Sequence, residues 1–241
     1  MNIKEQSLIG QLVADDYRTA TIFKKNGIDF CCQGNRTIQD ACSKNNLDIN
    51  NLIGELQETI NSDENNNTNF QTWPLDLLVD YIVKTHHRYV ESRSNELKPY
   101  LDKICNVHGE HHPELYEIRD LFYESAVDLA NHMKKEEIVL FPYIKRMVSN
   151  QQDHINLKVP GFGTIQNPIQ MMMEEHSFEG ERFRKISELS DNYTPSESAC
   201  NTYRVTLAML KEFEQDLHLH IHIENNILFP KAIELEKELL K

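Results

Sequence analysis

One eleven-residue pattern occurs twice in the chain and constrains its fold more than any other feature. The first copy is HMKKEEIVLFP, His132 to Pro142, and the second is HIHIENNILFP, His220 to Pro230. Both copies fit H-x-x-x-E-x-x-[IV]-L-F-P without a gap. Residues four apart lie on one face of a helix, so each copy predicts a helix that presents an imidazole beside a carboxylate. Such a pair can bind one metal ion.

A single histidine precedes each copy at a similar distance along the chain. His86 lies 46 residues before His132, and His176 lies 44 residues before His220. Folded as an antiparallel four-helix bundle, the two halves would bring four imidazoles and two carboxylates together in the core, where such bundles build metal sites. The predicted metal ligands are His86, His132, Glu136, His176, His220 and Glu224.

The ligand types narrow the choice of metal. A buried carboxylate without a partner is unfavourable, and a dinuclear centre would compensate both carboxylates. Two shared carboxylates with two imidazoles on each ion favour a pair of iron ions, although zinc and manganese also suit these ligands. The Glu-x-x-His spacing of ferritin-like sites is absent, because an apolar residue lies three positions before each predicted histidine. The set therefore favours a centre that reacts with oxygen or nitric oxide over a ferroxidase.

Other histidines near these positions fit the centre less well. His87 follows His86 directly, so on an α-helix it is expected on the far side, in solvent. His218 and His222 lie two positions before and after His220, and both are expected to face away from the centre.

Composition excludes several classes of partner. The chain has 241 residues with only 8 Gly and 8 Pro, which is typical of a helical protein. Its net charge of −13 argues against nucleic acid or an anionic membrane surface, since both need a basic face. No apolar run reaches the ~18 residues of a membrane-spanning helix, and the N-terminus lacks a signal peptide's apolar core. Five cysteines without a disulfide-framework spacing indicate the reducing cytoplasm.

The distribution of apolar residues predicts an all-α protein with two units. Residues 1–60 are expected to form a small helical domain, and residues 73–241 the four-helix bundle. The predicted linker is 61–72, since its first part, 61–69, has five Asn and no apolar side chain. A polar linker would let the two units fold and move separately.

Two adjacent cysteines, Cys31 and Cys32, lie in a predicted loop between Gly27 and Thr37. Adjacent Cα atoms are ~3.8 Å apart, below the usual disulfide range, so a disulfide between them would be strained and easily reduced. The pair is interpreted either as two ordinary buried thiols or as a redox, nitrosyl or iron-transfer pair. The other cysteines are expected to be structural: Cys42, Cys105 and Cys200.

Four segments together resemble the repair-of-iron-centres family of the YtfE/ScdA type: DFCCQG (Asp29 to Gly34), HMKKEEIVLFP, MEEH (Met173 to His176) and HIHIENNILFP. The resemblance covers nearly the whole chain and implies a short cysteine-containing domain followed by a hemerythrin-like bundle. It implies two non-haem irons, oxo- and carboxylate-bridged, and it places the family's Cys-Cys pair on Cys31 and Cys32. The implied iron ligands are His86, His132, His176 and His220, with Glu136 and Glu224 as bridges.

The resemblance also implies a function. Members of this family are cytoplasmic proteins that help to restore iron–sulfur clusters damaged by nitric oxide or peroxide. Repair would proceed by iron donation, by binding and removal of nitric oxide at the di-iron site, or by both. An enzymatic activity of the nitric oxide reductase type is a further alternative. The expected partners are damaged iron–sulfur proteins and nitric oxide or oxygen as a small ligand. Neither nucleic acid nor a membrane is expected as a partner, and a homodimer is a further alternative.

The alternative function is a hemerythrin-like carrier or sensor of oxygen or nitric oxide. Two features separate the alternatives. The Cys31/Cys32 loop favours repair, because a plain carrier does not need it. A sensor usually carries an output domain, and the sequence shows none.

Overall fold

The computed structural model describes residues 3–62, 68–155 and 157–240, and within them all regular elements are helices. The predicted all-α fold class is therefore confirmed. Of the predicted linker, residues 63–67 lie outside the described residues. None of the described helices is long and apolar enough to cross a membrane.

Four short helices form the N-terminal part: α1 (Ile9–Asp15), α2 (Thr19–Lys25), α3 (Ile38–Asn45) and α4 (Ile49–Asn61). Thr37 caps α3 through reciprocal hydrogen bonds with Asp40, and the Asp48 side chain caps α4. Residues 27–37 connect α2 to α3 and are called the cysteine loop here. The loop starts at Gly27, whose φ of 66° lies in the left-handed region that favours glycine.

Four long rods form the bundle, and three of them contain a π-helical turn among the described residues. The first rod contains α5 (Leu75–Tyr81), the π turn Ile82–His87 and α6 (Arg88–His108). The second contains α7 (Glu114–Lys135), the π turn Glu136–Leu140 and α8 (Phe141–Asp153). The third is α9 (Gln166–Leu189), and the fourth contains α10 (Asn201–Ile223), the π turn Glu224–Leu228 and α11 (Phe229–Leu239).

Each rod packs against at least two others, so the rods enclose a common interior. One apolar cluster fills the half of the bundle that contains Leu129 and Leu217, and a second fills the half that contains Leu140 and Ile227. The polar side chains described below lie where these two clusters meet.

The N-terminal helices share an apolar core with the bundle. The first cluster contains Phe23 and Ile38 of the N-terminal part together with Phe183 and Phe213 of the bundle. An ion pair adds to this contact, since Nζ of Lys24 on α2 lies 2.6 Å from Oε2 of Glu214 on α10. The expectation that the two parts move separately is therefore wrong, because apolar burial holds them together.

Candidate metal centre

Six buried side chains from all four rods converge in the middle of the bundle. They form two overlapping groups, and the potential ligand atoms of each group lie within 4.8 Å of one another. Both glutamates belong to both groups, which is the arrangement that two carboxylate-bridged metal ions need. The first group is His132, Glu136, His176 and Glu224, and the second is His87, Glu136, His220 and Glu224.

Each carboxylate lies beside one imidazole of each group. Oε2 of Glu136 lies 3.5 Å from Nε2 of His132 and 3.4 Å from Nε2 of His87. The carboxylate of Glu224 approaches the other two rings, with Oε1 3.0 Å from Nε2 of His220 and Oε2 3.2 Å from Nε2 of His176.

One nitrogen–nitrogen distance also fits a shared ion. Nε2 of His132 and Nε2 of His176 lie 3.0 Å apart. Two nitrogens that bind one ion at ~2.1 Å and at right angles are separated by about the same distance. This distance is therefore compatible with both nitrogens as ligands of one ion.

Imidazoles compensate the negative charge of the buried Glu136 carboxylate. Burial and the neighbouring Glu224 carboxylate act to raise the pKa of Glu136, but the imidazoles of His132 and His87 outweigh them and lower it. Burial acts to lower the pKa of His132, yet Glu136 and Glu175 raise it to about 10. The buried carboxylate is therefore ionised, and a protonated imidazole compensates it until a metal cation does so.

Several polar atoms of the centre test the fit of a metal. Both oxygens of Glu136, Oε2 of Glu224 and Nε2 of His87 are buried and have no hydrogen-bond partner within the described part of the chain. Buried polar atoms in proteins are nearly always satisfied, and both glutamates are 0% exposed. Coordination to metal ions accounts for these atoms, and iron accepts imidazole and carboxylate together. The side chains of the centre therefore fit the pair of iron ions that the sequence predicts.

The structure places His87, and not His86, in the centre. The prediction of His86 rests on its interval before His132 and on the family resemblance, and α-helical spacing from the buried Ile82 also points to the residue four positions later. The segment Ile82–His87 is instead a π turn with five-residue spacing, so His87 faces inward. His87 is 3% exposed, so the prediction that it is solvated is wrong.

His86 lies beside the centre and belongs to neither group of potential ligands. Its ring stacks on that of His220, with centroids 5.3 Å apart, and its Nδ1 lies 3.0 Å from Oδ1 of Asp216. His218 and His222 also lie outside both groups, and their rings contact Phe30 of the cysteine loop.

Outer residues orient three of the four central imidazoles through Nδ1, which leaves Nε2 facing the carboxylates. Such hydrogen bonds fix ring orientation at metal sites. Two of these outer residues, Glu137 and Asn225, could have been found from the sequence, because each directly follows the glutamate of its motif copy. The pairs are His87 with Glu137 Oε1 at 2.8 Å, His132 with Glu175 Oε2 at 2.8 Å, and His176 with Asn225 Oδ1 at 2.9 Å.

The cysteine loop lies directly against the centre. Sγ of Cys32 donates to the backbone carbonyl of His176 at 3.3 Å, and Nδ2 of Asn225 donates to the carbonyl of Cys31 at 3.2 Å. The two sulfur atoms lie 3.7 Å apart as free thiols. The hydrogen bond with Cys32, and then burial, hold the pKa of Cys31 well above its usual range, so this thiol is protonated at neutral pH.

Asp29 belongs to the same loop and is absent from the predicted site. Its Oδ1 accepts hydrogen bonds from the backbone N–H groups of Cys31 and Cys32, at 3.1 and 2.9 Å. With the two thiols, its carboxylate forms a third group of potential metal ligands. The available signal is an Asp two residues before a cysteine, since Asp often bonds the backbone two positions on.

A pocket of about 310 Å³ opens beside the centre and is lined by residues of α7 and α9. His132 and His176 form part of its wall. Lys135 forms an ion pair with Glu175, whose carboxylate also holds His132. The pocket therefore lies on the side of the centre at which these two imidazoles lie.

Cys200 differs from its predicted structural role. It is exposed, and its Sγ lies 3.1 Å from Nε2 of His108. The hydrogen bond from His108, followed by the backbone N–H groups of Tyr203 and Thr202, lowers the pKa of Cys200 to about 7. This thiol is therefore partly ionised at neutral pH, which is typical of a reactive cysteine. Cys42 and Cys105 are buried.

Comparisons with known proteins agree with this architecture. Residues 5–60 match a family described as "Domain of Unknown function (DUF542)", and residues 78–232 match the "Hemerythrin HHE cation binding domain". The iron-sulfur cluster repair protein ScdA of Staphylococcus haemolyticus is 32% identical over 230 residues, covering 95% of this chain and 99% of that protein.

A second relative gives the same result. The iron-sulfur cluster repair protein YtfE of Yersinia pestis is 35% identical over 236 residues, covering 97% of this chain and 99% of that protein. These matches confirm the resemblance proposed from the motifs. The chain therefore belongs to the hemerythrin HHE family and, along nearly its whole length, to the family of ScdA and YtfE iron–sulfur cluster repair proteins.

Proposed function

We propose that this chain is a cytoplasmic di-iron protein that repairs iron–sulfur clusters damaged by nitrosative or oxidative stress. The observation that carries the proposal is the position of Glu136 and Glu224. Both are fully buried, and each lies beside two imidazoles, one from each ligand group. The names of the relatives, iron-sulfur cluster repair proteins, support the activity.

The proposed coordination assigns His132 and His176 to one iron, His87 and His220 to the other, and Glu136 and Glu224 to both. When bound, the irons supply redox chemistry and a position for a small ligand, with an oxo bridge expected in the oxidised form. The chain supplies the geometry: the buried carboxylates hold two cations away from bulk water, and the Nδ1 hydrogen bonds orient the rings.

Cys31 and Cys32 are proposed to pass iron between the centre and a damaged client protein. Three donors support this role, because both thiols and the Asp29 carboxylate lie within ligand distance of one another. The Cys32 thiol also reaches the backbone of His176, a proposed iron ligand. A protonated Cys31 must lose its proton when it binds a cation, so transfer of iron to the pair releases a proton.

The pocket lined by His132 and His176 favours a second function, reversible binding of oxygen or nitric oxide. In that case the protein acts as a carrier or a sensor. If the same site also reduced the bound nitric oxide, the protein would be an enzyme of the nitric oxide reductase type. The cysteine loop has no task in simple carriage, which is why repair is the preferred function.

The test uses an iron–sulfur dehydratase that nitric oxide has inactivated. Iron-loaded protein, iron-free protein and an equal amount of free ferrous iron are added in parallel, and the recovered dehydratase activity is followed. Repair predicts faster recovery with the loaded protein than with either control. Reversible nitric oxide binding without any faster recovery contradicts repair and supports the carrier.

A further inference from the structure

The position after the motif glutamate has different residues in the two copies. Glu137 occupies it in the first copy and Asn225 in the second. Both side chains accept a hydrogen bond from the central imidazole that the other rod of their own half contributes, His87 for Glu137 and His176 for Asn225. The duplicated position therefore has one shared task, which is to orient an imidazole of the centre.

Asn225 has a second task that its counterpart lacks. While Oδ1 accepts from His176 Nδ1 at 2.9 Å, Nδ2 donates to the backbone carbonyl of Cys31 at 3.2 Å. A carboxylate has no N–H to donate, so an amide is the side chain that can bridge a ring N–H and a carbonyl. Asn225 is 7% exposed, so water does not readily replace either bond.

Close packing holds the cysteine loop at this place on both sides. A Cβ atom on Gly34 of the loop would lie 2.6 Å from Oδ1 of Asn226 in the fourth rod. A Cβ atom on Gly10 of α1 would lie only 2.2 Å from the same oxygen. On the α9 side, a Cβ on Gly180 would lie 3.1 Å from Sγ of Cys32. Glycines at these points let the loop approach both rods closely enough for the hydrogen bonds of Asn225 to form.

We infer that Asn225 is a positioning residue that couples the cysteine loop to the imidazole of His176. The inference rests on the proposed function, in which His176 holds iron, and it extends that function by naming a side-chain link between the iron centre and the cysteine loop. Nδ2 of Asn226 donates to the same Cys31 carbonyl at 3.4 Å, but only the amide of Asn225 also bonds the ring of His176. Asn225 thereby fixes the Cys31 backbone relative to the ring and sets the Cys32 thiol against the carbonyl of His176. A change at Asn225 therefore alters both thiol accessibility and the surroundings of the iron at His176.

Asn225→Asp separates the two bonds. Aspartate keeps an acceptor for the ring N–H of His176, but it turns a carboxylate oxygen toward the carbonyl of Cys31. In iron-loaded protein we expect alkylation of Cys31 and Cys32 by iodoacetamide about three- to tenfold faster than in the parent. Asn225→Leu loses both bonds, so the same rise should come with altered Mössbauer parameters of one iron.

Glu137→Gln is the matched control. It changes the equivalent position in the first copy, where the side chain is 44% exposed and its described hydrogen bond is to His87. Thiol alkylation should then stay at the parental rate. A rise equal to that of Asn225→Asp would indicate general loosening of the bundle and would overturn the inference.

The measurement is repeated on iron-free protein, which distinguishes failure of this inference from failure of the proposed function. Faster alkylation of Asn225→Asp without iron supports the link even where no iron binds. Parental alkylation rates for Asn225→Asp in both forms overturn it. Should Asn225→Asp fail to fold by circular dichroism, Asn225→Leu is compared with the parent and Glu137→Gln in the same way.

Discussion

Nε2 of His87 lies 3.4 Å from Oε2 of Glu136 inside the bundle, whereas the adjacent His86 turns its Nδ1 to Asp216, 3.0 Å away. The π turn that contains both histidines makes this difference, because it advances the inward face by one residue. Two further π turns begin at Glu136 and Glu224 themselves. The irregular turns of the bundle therefore lie where its polar centre is built.

The choice between the two adjacent histidines is tested by His87→Ala and His86→Ala. Removing His87 removes a proposed direct ligand, so we expect about one iron per chain or fewer after purification. His86→Ala removes a ring that packs on His220 and contacts Asp216, but it removes no proposed ligand, so iron affinity should fall by about tenfold at most. Iron is measured against protein concentration. Loss of iron in His86→Ala with retention in His87→Ala would contradict the assignment.

The two carboxylates are tested by Glu136→Ala and Glu224→Ala. Each substitution removes a side chain common to both ligand groups, so both irons should be held at least ~10-fold more weakly than in the parent. His218→Ala is the control, because His218 lies outside both groups. Competition with a chelator gives the affinities. Equal iron retention in the three variants would show that the carboxylates do not bridge.

The role of the thiol pair is tested by Cys31→Ala combined with Cys32→Ala. Neither thiol belongs to the two central groups, so we expect unchanged iron content and an unchanged di-iron spectrum. Reactivation of the damaged dehydratase should be about tenfold slower, because iron then moves through solvent without a positioned donor. Cys105→Ala, a buried thiol outside the site, is the control. Full repair activity in the double variant would reduce the pair to ordinary buried thiols.

The exposed thiol of Cys200 gives a pH-dependent prediction. Its pKa is lowered from 9.0 to about 7, first by the hydrogen bond from His108, so its alkylation rate should rise with pH to half its maximum near pH 7. His108→Ala removes the largest cause of the lowered pKa, and the midpoint should move upward toward that of an ordinary thiol. Alkylation of this one cysteine is followed by mass spectrometry. An unchanged midpoint would assign the lowered pKa to the backbone N–H groups alone.

The duplicated motif predicts most of the centre because its key spacing lies in regular helix. His132 and His220 lie in the last turns of α7 and α10. Glu136 and Glu224 follow four residues later as the first residues of the π turns, before the spacing departs from that of an α-helix. The same reasoning fails at His86 because the π turn there begins before the ligand. A π turn has no simple sequence signature, so α-helical periodicity selects the neighbouring residue.

Contacts between the N-terminal part and the bundle were beyond prediction for a different reason. Lys24 and Glu214 are 190 positions apart, and Cys31 and Asn225 are 194 apart. No local spacing connects such residues, and the polar linker between them favours independent parts. The apolar faces of the N-terminal helices are visible in the sequence, but the surface that they cover is set only by the tertiary fold.

Iron stoichiometry combined with Mössbauer spectroscopy tests the central claim most directly. Protein is produced with ample iron-57, purified, oxidised and analysed for iron, zinc and manganese. Two shared carboxylates between four imidazoles predict about two irons per chain in one spin-coupled pair, with near-ultraviolet absorption from an oxo bridge. Zinc or manganese alone after growth with ample iron, or a single uncoupled iron per chain, would contradict the account.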